Sequence, residues 1–314
     1  MMKLELPESF FEEEVRCDFK ITARMKQAWA AQLKMYVEIY NLCERHGIKL
    51  FAEVGTLLGA ARHNGFVPWD DDIDLAMPRA DYMRFIDVAV NGNELPKYYN
   101  VKSMYSDKLG TFSQFHTVVQ NYDKKILEWD EERNKEFFGC PFICGIDIYP
   151  LDYVARNKND REYLTKVYNL AYVMAMDYDS KKDEDDYIKN VAYLGNLLGG
   201  SFREDIPLRE QLYQITDSIA SVTKKEDSEF MDYYPKLVDG REHTLRNTEW
   251  FDEVIMLPFE TVEIPVPAMY REALSRHYGN WKTYRVHAFA QHEYPFYRKQ
   301  EELFILQGHL VEEQ

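Results

Sequence analysis

The chain has 314 residues, 46% hydrophobic and 15% aromatic, which is enough to bury a substantial core as one large or two moderate domains and excludes a disordered chain. Its formal net charge of −16, from 54 acidic and 38 basic residues with no long basic tract, excludes nucleic acid as a main partner. The same field repels small phosphorylated ligands, so a site for one needs local neutralisation by a cation.

No apolar run approaches the roughly 18 residues of a membrane span, and the opening Met1-Met2-Lys3-Leu4-Glu5 lacks the apolar stretch of a secretory signal. The expected location is cytoplasmic, with at most peripheral association at the inner face of a membrane. The four cysteines suggest no disulfide framework, and Cys140 and Cys144 read as reduced, packed thiols rather than zinc ligands.

In chain order, Met25, Trp29, Leu33, Tyr36, Val37, Tyr40 and Cys43 recur at spacings of three and four. They predict an amphipathic helix over about 21–46, stopped by Gly47. Residues 48–54 predict a short strand entering a Gly55-Thr56 turn, with Thr56 as N-cap of a short helix to about Arg62. After Asn64-Gly65 and Pro68, residues 73–77 predict a second strand closed by Pro78, and residues 80–91 a helix. The region 98–130 reads as short strands with loops. Residues 144–149 predict a third strand, closed by Pro150, with Asp147 in its middle. Beyond Asp152, helical patterns cover roughly 158–199 and 205–235, separated by Gly199-Gly200, with no flexible linker to detach them from what precedes. Residues 259–267, with Val262, Ile264 and Val266 alternating, predict a hairpin or edge strand, followed by a helix from Pro267 to about Tyr278.

The chemistry concentrates in Asp70-Asp71-Asp72-Ile73-Asp74, where crowded carboxylates repel one another unless a cation or a donor set compensates. Alternate residues of a strand share a face, so Asp72 and Asp74 project together as candidate metal ligands. Asp70 and Asp71, with the neighbouring Trp69, take supporting positions. Asp147, a lone carboxylate in an apolar strand, is the candidate third ligand and a candidate base for an attacking hydroxyl. Mg²⁺ or Mn²⁺ suits such an oxygen-rich set. Upstream, Gly55 and Thr56 open a helix whose N-terminus favours a phosphate, with Arg62 and His63 on the same helix and its exit as further phosphate contacts.

Each part has a plain alternative. An acidic run is usually solvated, a Gly-Thr turn is common, Asp147 can pair with a core arginine, and His63 can satisfy backbone carbonyls. The specific signal is the order: strand, Gly-Thr, helix and acidic strand within a short span.

That order resembles the polymerase β-type nucleotidyltransferase superfamily. Residues 55–74, Gly-Thr-Leu-Leu-Gly-Ala-Ala-Arg-His-Asn-Gly-Phe-Val-Pro-Trp-Asp-Asp-Asp-Ile-Asp, look more narrowly like the signature of the LicD family of phosphotransferases, which includes the fukutin-type transferases. Segments 77–82, 145–152 and 259–267 with Tyr278-Gly279 resemble that family's later blocks in the same order. The resemblance implies an α+β fold: a polymerase β-like nucleotidyltransferase core over 1–155, then a mainly helical region over 156–314 with a strand and helix segment at 259–279. It implies transfer of a phospho-alcohol, such as phosphocholine, from a CDP-linked donor to a glycan or lipid-linked sugar hydroxyl, as in lipopolysaccharide or teichoic acid. It places Asp72, Asp74 and Asp147 on the metal carboxylates and Gly55 and Thr56 on the donor phosphate turn. One departure concerns His116, where the family pattern leads one to expect a lysine; Lys102 and Lys124 are the alternative cations. A nucleotidyltransferase moving NMP onto a small molecule, and a non-catalytic nucleotide-binding protein, are the competing readings.

Overall fold

The computed structural model describes residues 1–106, 114–124, 126–285 and 294–312. After a small hairpin of β1 (Glu14–Arg16) and β2 (Phe19–Ile21), the first long helix, α1, spans Ala23–His46. Thr22 caps it by accepting from the Met25 N–H, and Gly47 closes it in the left-handed conformation at φ 60°, where a side chain would be strained. α1 is buried around most of its circumference rather than along one stripe. Lys26, for example, is buried and pairs with Glu14, and Trp29 stacks on Phe66 with ring centroids 4.5 Å apart.

The next elements are β3 (Phe51–Ala52), α2 (Val54–His63), β4 (Ile73–Pro78), α3 (Arg79–Ile86), β5 (Asn100–Lys102), β6 (Thr117–Gln120), α4 (Glu131–Glu136) and β7 (Gly145–Ala155). The sheet order is β3-β4-β7-β6-β5; β4 and β7 run parallel and the other neighbouring pairs antiparallel. Of the region read as 98–130, residues 107–113 and 125 lie outside the described residues.

Pro150 does not end β7, contrary to the sequence expectation. On that side of the strand β6 pairs only as far as Ile148, and β8 (Ser228–Asp232) takes over from Asp152. The proline sits in the gap between two partners, where its missing N–H costs no ladder bond.

The two long helical stretches are also corrected. Residues 158–199 form α5 (Lys158–Met176), α6 (Tyr178–Lys181) and α7 (Asp185–Leu197); within 205–235 only α8 (Leu208–Ala220) is a long helix, and the rest includes β8. The chain continues through α9 (Pro235–Val238), β9 (Arg246–Asn247), the hairpin β10 (Val254–Phe259) and β11 (Val262–Pro267), α10 (Tyr270–Tyr278) and α11 (Arg298–Leu306). The result is a mixed α+β architecture, a mixed sheet with flanking helices.

Two apolar cores form. The first gathers α1, the buried sheet face and residues returning from 250–304; the second lies among α5, α7 and α8. Between them, Arg79 grips Asp152 through two 2.7 Å bonds and reaches Asp217 of α8 at 2.9 Å. The bidentate pair joins the end of β4, the strand that carries Asp74, to β7, and the bond to Asp217 ties the helical layer to the same arginine.

The exit of α2 depends on close backbone approach. A Cβ at Gly59 would lie 2.3 Å from the Gly65 carbonyl oxygen and 3.2 Å from the Val67 nitrogen. Gly59→Ala is therefore expected to destabilise the chain by about 1–3 kcal/mol in urea unfolding, since backbone rather than a flexible side chain must yield. Unchanged stability would show that this turn relaxes freely.

Candidate active site

Strand register assembles the site. Asp74 stands directly opposite Asp147 in the parallel β4–β7 pair, Asp147 opposite Val118, and Val118 opposite Lys102. Directly opposed residues share a face, so these side chains form one row away from the buried face of Ile73, Leu75, Ile146 and Ile148. Asp72 lies just ahead of β4, and burial alternates from Asp71 to Ile73 as the sequence parity requires.

The carboxylates are electrostatically crowded. Burial, then Asp72, Asp147, Asp70 and Glu53, push the Asp74 carboxyl well above its ordinary range. A hard divalent cation suits this all-oxygen set, and Asp72, Asp74 and Asp147 are the residues that would hold it. Asp70, Asp71 and Asp72 also bring ligand atoms within 4.8 Å of one another, so Asp70 is as near to Asp72 as a shared ion requires. Asp71 is buried and engaged otherwise: its Oδ2 accepts from the Phe296 N–H at 2.6 Å, and its carbonyl accepts from Gln32 Nε2 at 2.6 Å.

Thr56 is not an N-cap. α2 begins two residues earlier, at Val54, with Glu53 in the cap position. Thr56 Oγ1 instead accepts from the Asp74 N–H at 2.8 Å, binding the helix to the acidic strand. Gly55 has its own reason: a Cβ there would lie 2.2 Å from Asp70 Oδ2. The glycine admits the Asp70 carboxylate to the positive end of α2, a place where an anion is favoured.

Glu53 does not cap with its side chain. It accepts from Arg246 NH1 at 2.7 Å and lies 3.5 Å from Lys236 Nζ, while both cations also contact Asp232. Two carboxylates and two cations are thus buried together beneath the start of α2. Burial alone would raise Asp232, but Arg246 and Lys236 overcome it and hold that carboxyl at about 2. Above this cluster Val54 adopts φ 38°, a left-handed conformation costly for a β-branched residue.

The proposed phosphate contacts of α2 are differently employed. Arg62 NH1 donates to the Trp281 carbonyl at 2.8 Å, its Nε donates to His63 Nε2 at 2.9 Å, and its guanidinium lies over Tyr284. Burial, with Arg62 and Arg16 beside it, lowers His63 to about 4, so its imidazole is neutral at pH 7 and its Nε2 is an acceptor. Trp69 meets His63 edge to face, with centroids 6.1 Å apart.

At the position where a lysine was expected, His116 Nε2 lies 3.3 Å from Asp147 Oδ2, which also accepts from Tyr149 OH at 3.2 Å. Of the alternative cations, Lys124 is an exposed partner of Asp130 and Glu128. Lys102 shares the carboxylate row but stands two strands from Asp147, roughly 10 Å along the sheet. Cys140 and Cys144 are buried free thiols with their Sγ atoms 3.9 Å apart.

A cavity of about 310 Å³ opens beside the row, lined by Asp71, Asp72, Asp74 and Asp147 and, from the chain entering α11, by Pro295, Phe296, Arg298 and Lys299. Sequence reasoning missed this second group, along with Gln32 and Glu53. Of these only Glu53, directly before Val54-Gly55-Thr56, had a signal in its position.

The family model described as LicD/FKTN/FKRP, nucleotidyltransferase domain, matches residues 47–172, a span that contains the whole carboxylate row. Residues 47–172 thus match the LicD family domain. Consistent with this, the chain is 26% identical over 265 residues to the lipopolysaccharide cholinephosphotransferase LicD of Haemophilus influenzae, covering 83% of this chain and 92% of that protein. The uncharacterized protein RP689 of Rickettsia prowazekii is 43% identical over 114 residues, 36% of this chain and 42% of its own length. The matched span begins at Gly47 and reaches α5, so β8, the β10–β11 hairpin and α11 lie outside it. Among the described residues no helix is long and apolar enough to cross a membrane.

Proposed function

We propose that this chain is a divalent-metal-dependent phosphotransferase that moves phosphocholine, or a closely related phospho-alcohol, from a CDP-linked donor to a hydroxyl of lipopolysaccharide or a similar glycan. The observation that carries the reading is the register-matched pair Asp74 and Asp147, with Asp72 beside them, inside a LicD domain and at the edge of a cavity. The 26% identity to a lipopolysaccharide cholinephosphotransferase over most of both chains supports phosphocholine as the group transferred and a lipopolysaccharide-like acceptor.

When bound, a Mg²⁺ or Mn²⁺ ion would neutralise the donor diphosphate. The chain's own residues do the rest. Asp72, Asp74 and Asp147 fix where the diphosphate lies. Thr56 locks α2 to Asp74, so the first turn of that helix, with Asp70 at its positive end, keeps a set position beside the carboxylates. The acceptor hydroxyl gives its proton to a carboxylate of the cluster. Asp147, already joined to His116 and Tyr149, is the group with a route to pass that proton on. A new bond forms between the acceptor oxygen and the phosphorus bearing the alcohol, the bridging oxygen–phosphorus bond breaks, and CMP leaves.

Mass analysis of the products is the test. Incubation with CDP-choline, Mg²⁺ and a lipooligosaccharide acceptor is expected to release CMP and to add phosphocholine to the glycan. Release of pyrophosphate from a nucleoside triphosphate, with a nucleotide added to the acceptor, would replace this reading with nucleotidyl transfer. No turnover with any CDP-alcohol would remove it.

A further inference from the structure

The functional reading leaves a charge problem. A diphosphate entering a chain of net charge −16 needs cations besides any metal, and the cations named from the sequence are occupied or remote. Arg62 donates to the carbonyls of Trp281 and Thr283, Lys124 is in surface ion pairs, and Lys102 and His116 are not among the residues lining the cavity.

The cavity supplies its own. Arg298 and Lys299, in the first turn of α11, line it together with the carboxylates of β4 and β7. Lys299 is exposed and makes no ion pair among the described residues. Arg298 is held in place by donating from its NH2 to the Tyr294 carbonyl oxygen. Gln32 lines the same cavity; it is only 1% exposed, and its Oε1 has no hydrogen-bond partner among the described residues. An orphaned buried acceptor points to a ligand or water that completes it. The segment leading into α11 is fixed by the bond from the Phe296 N–H to Asp71, so the basic wall is anchored to the acidic run itself.

We propose that Arg298 and Lys299 form an anion-binding wall that takes phosphate oxygens of the donor diphosphate, opposite the carboxylates that hold its cation. The proposal rests on the phosphotransferase reading for the identity of the donor, but its chemistry is that of any metal-bound diphosphate. A lysine ammonium and an arginine fork on one helix turn suit adjacent phosphate oxygens, and the alcohol end, cationic when it is choline, is left to other parts of the cleft.

Calorimetric titration of the full chain with magnesium pyrophosphate tests it. Lys299→Ala is expected to weaken binding about tenfold and Lys299→Glu further, with Mn²⁺ binding alone unchanged in Lys299→Ala. Lys299 is exposed, so the fold is not at stake; Arg298→Ala is the second variant and is expected to act in the same direction. Pyrophosphate affinity within twofold of the wild type in both alanine variants would overturn the proposal. A parallel loss of Mn²⁺ binding would also overturn it, because that pattern marks a distorted site. A third arm uses glucose 6-phosphate as an acceptor-like phosphate: if only its binding falls, the wall serves the acceptor and the donor assignment is wrong. Lys299-dependent pyrophosphate binding in a chain that turns over no CDP-alcohol would sink the transferase reading and leave the wall standing.

Discussion

Asp74→Asn is expected to raise the melting temperature of the metal-free chain while reducing Mg²⁺-dependent turnover on the order of a thousandfold. Both effects have one cause. Burial and the charges of Asp72, Asp147 and Asp70 hold the Asp74 carboxyl well above its ordinary value of 3.8. A folded pKa above the unfolded one means that the ionised carboxylate opposes folding. The stability linked to this group is greatest in acid and is lost as pH rises from about 4 toward and through the raised value. The asparagine carries no such charge, so its advantage in metal-free buffer should grow over the same pH range and vanish below it. Added Mg²⁺ should stabilise the wild type and leave the variant nearly unmoved, since only a site that binds gains by linkage. Thermal melts from acid to neutral pH, with and without Mg²⁺, check this directly. A variant less stable than the wild type at pH 7 without metal, or one that retains turnover, would remove Asp74 from the metal site.

Arg246→Ala should have the largest effect on stability, about 3–5 kcal/mol, because it leaves Glu53 and Asp232 short of a cation in a place water does not reach. A fall in melting temperature of about 5–8 °C is the corresponding expectation. Removing a carboxylate as well, in Arg246→Ala/Asp232→Ala, should recover part of the loss, since the penalty comes from an unmatched charge rather than from a lost attraction. Urea unfolding of the wild type, both single variants and the double variant measures the coupling. A single-variant cost below 1 kcal/mol would show that water enters the cluster. The cluster also bears on the site: Glu53 precedes the strained Val54, and freeing its side chain lets the first turn of α2 relax away from Asp74.

The sequence and the structure agree most closely where local chemistry decides. Gly47 marks the end of α1 as its sequence position suggests, because capping is a property of a few neighbouring residues. The alternation around Asp72, Ile73 and Asp74 survives because strand parity is local too. The readings fail where a distant partner decides. Pro150 looks like a terminator until β8, some eighty residues later, is known to pair beyond it. The breaks in 158–199 at Asp177 and around residues 182–184 carry no glycine or proline. Arg62 invites a phosphate reading because the carbonyls that take up its hydrogen bonds belong to residues 281 and 283. The basic wall was invisible for the same reason: nothing near Arg298 or Lys299 in the chain announces carboxylates more than 150 positions away.

The bond between the Asp71 carboxylate and the Phe296 N–H spans 225 positions. During synthesis, Asp72, Asp74 and Asp147, the proposed metal ligands, are all available once β7 has emerged. The basic wall follows more than 140 residues later, held by a carboxylate that neighbours them. Any binding of phosphate that rests on Arg298 and Lys299 is thereby deferred until α11 has been made, and the acidic run is the point to which that late segment is fixed.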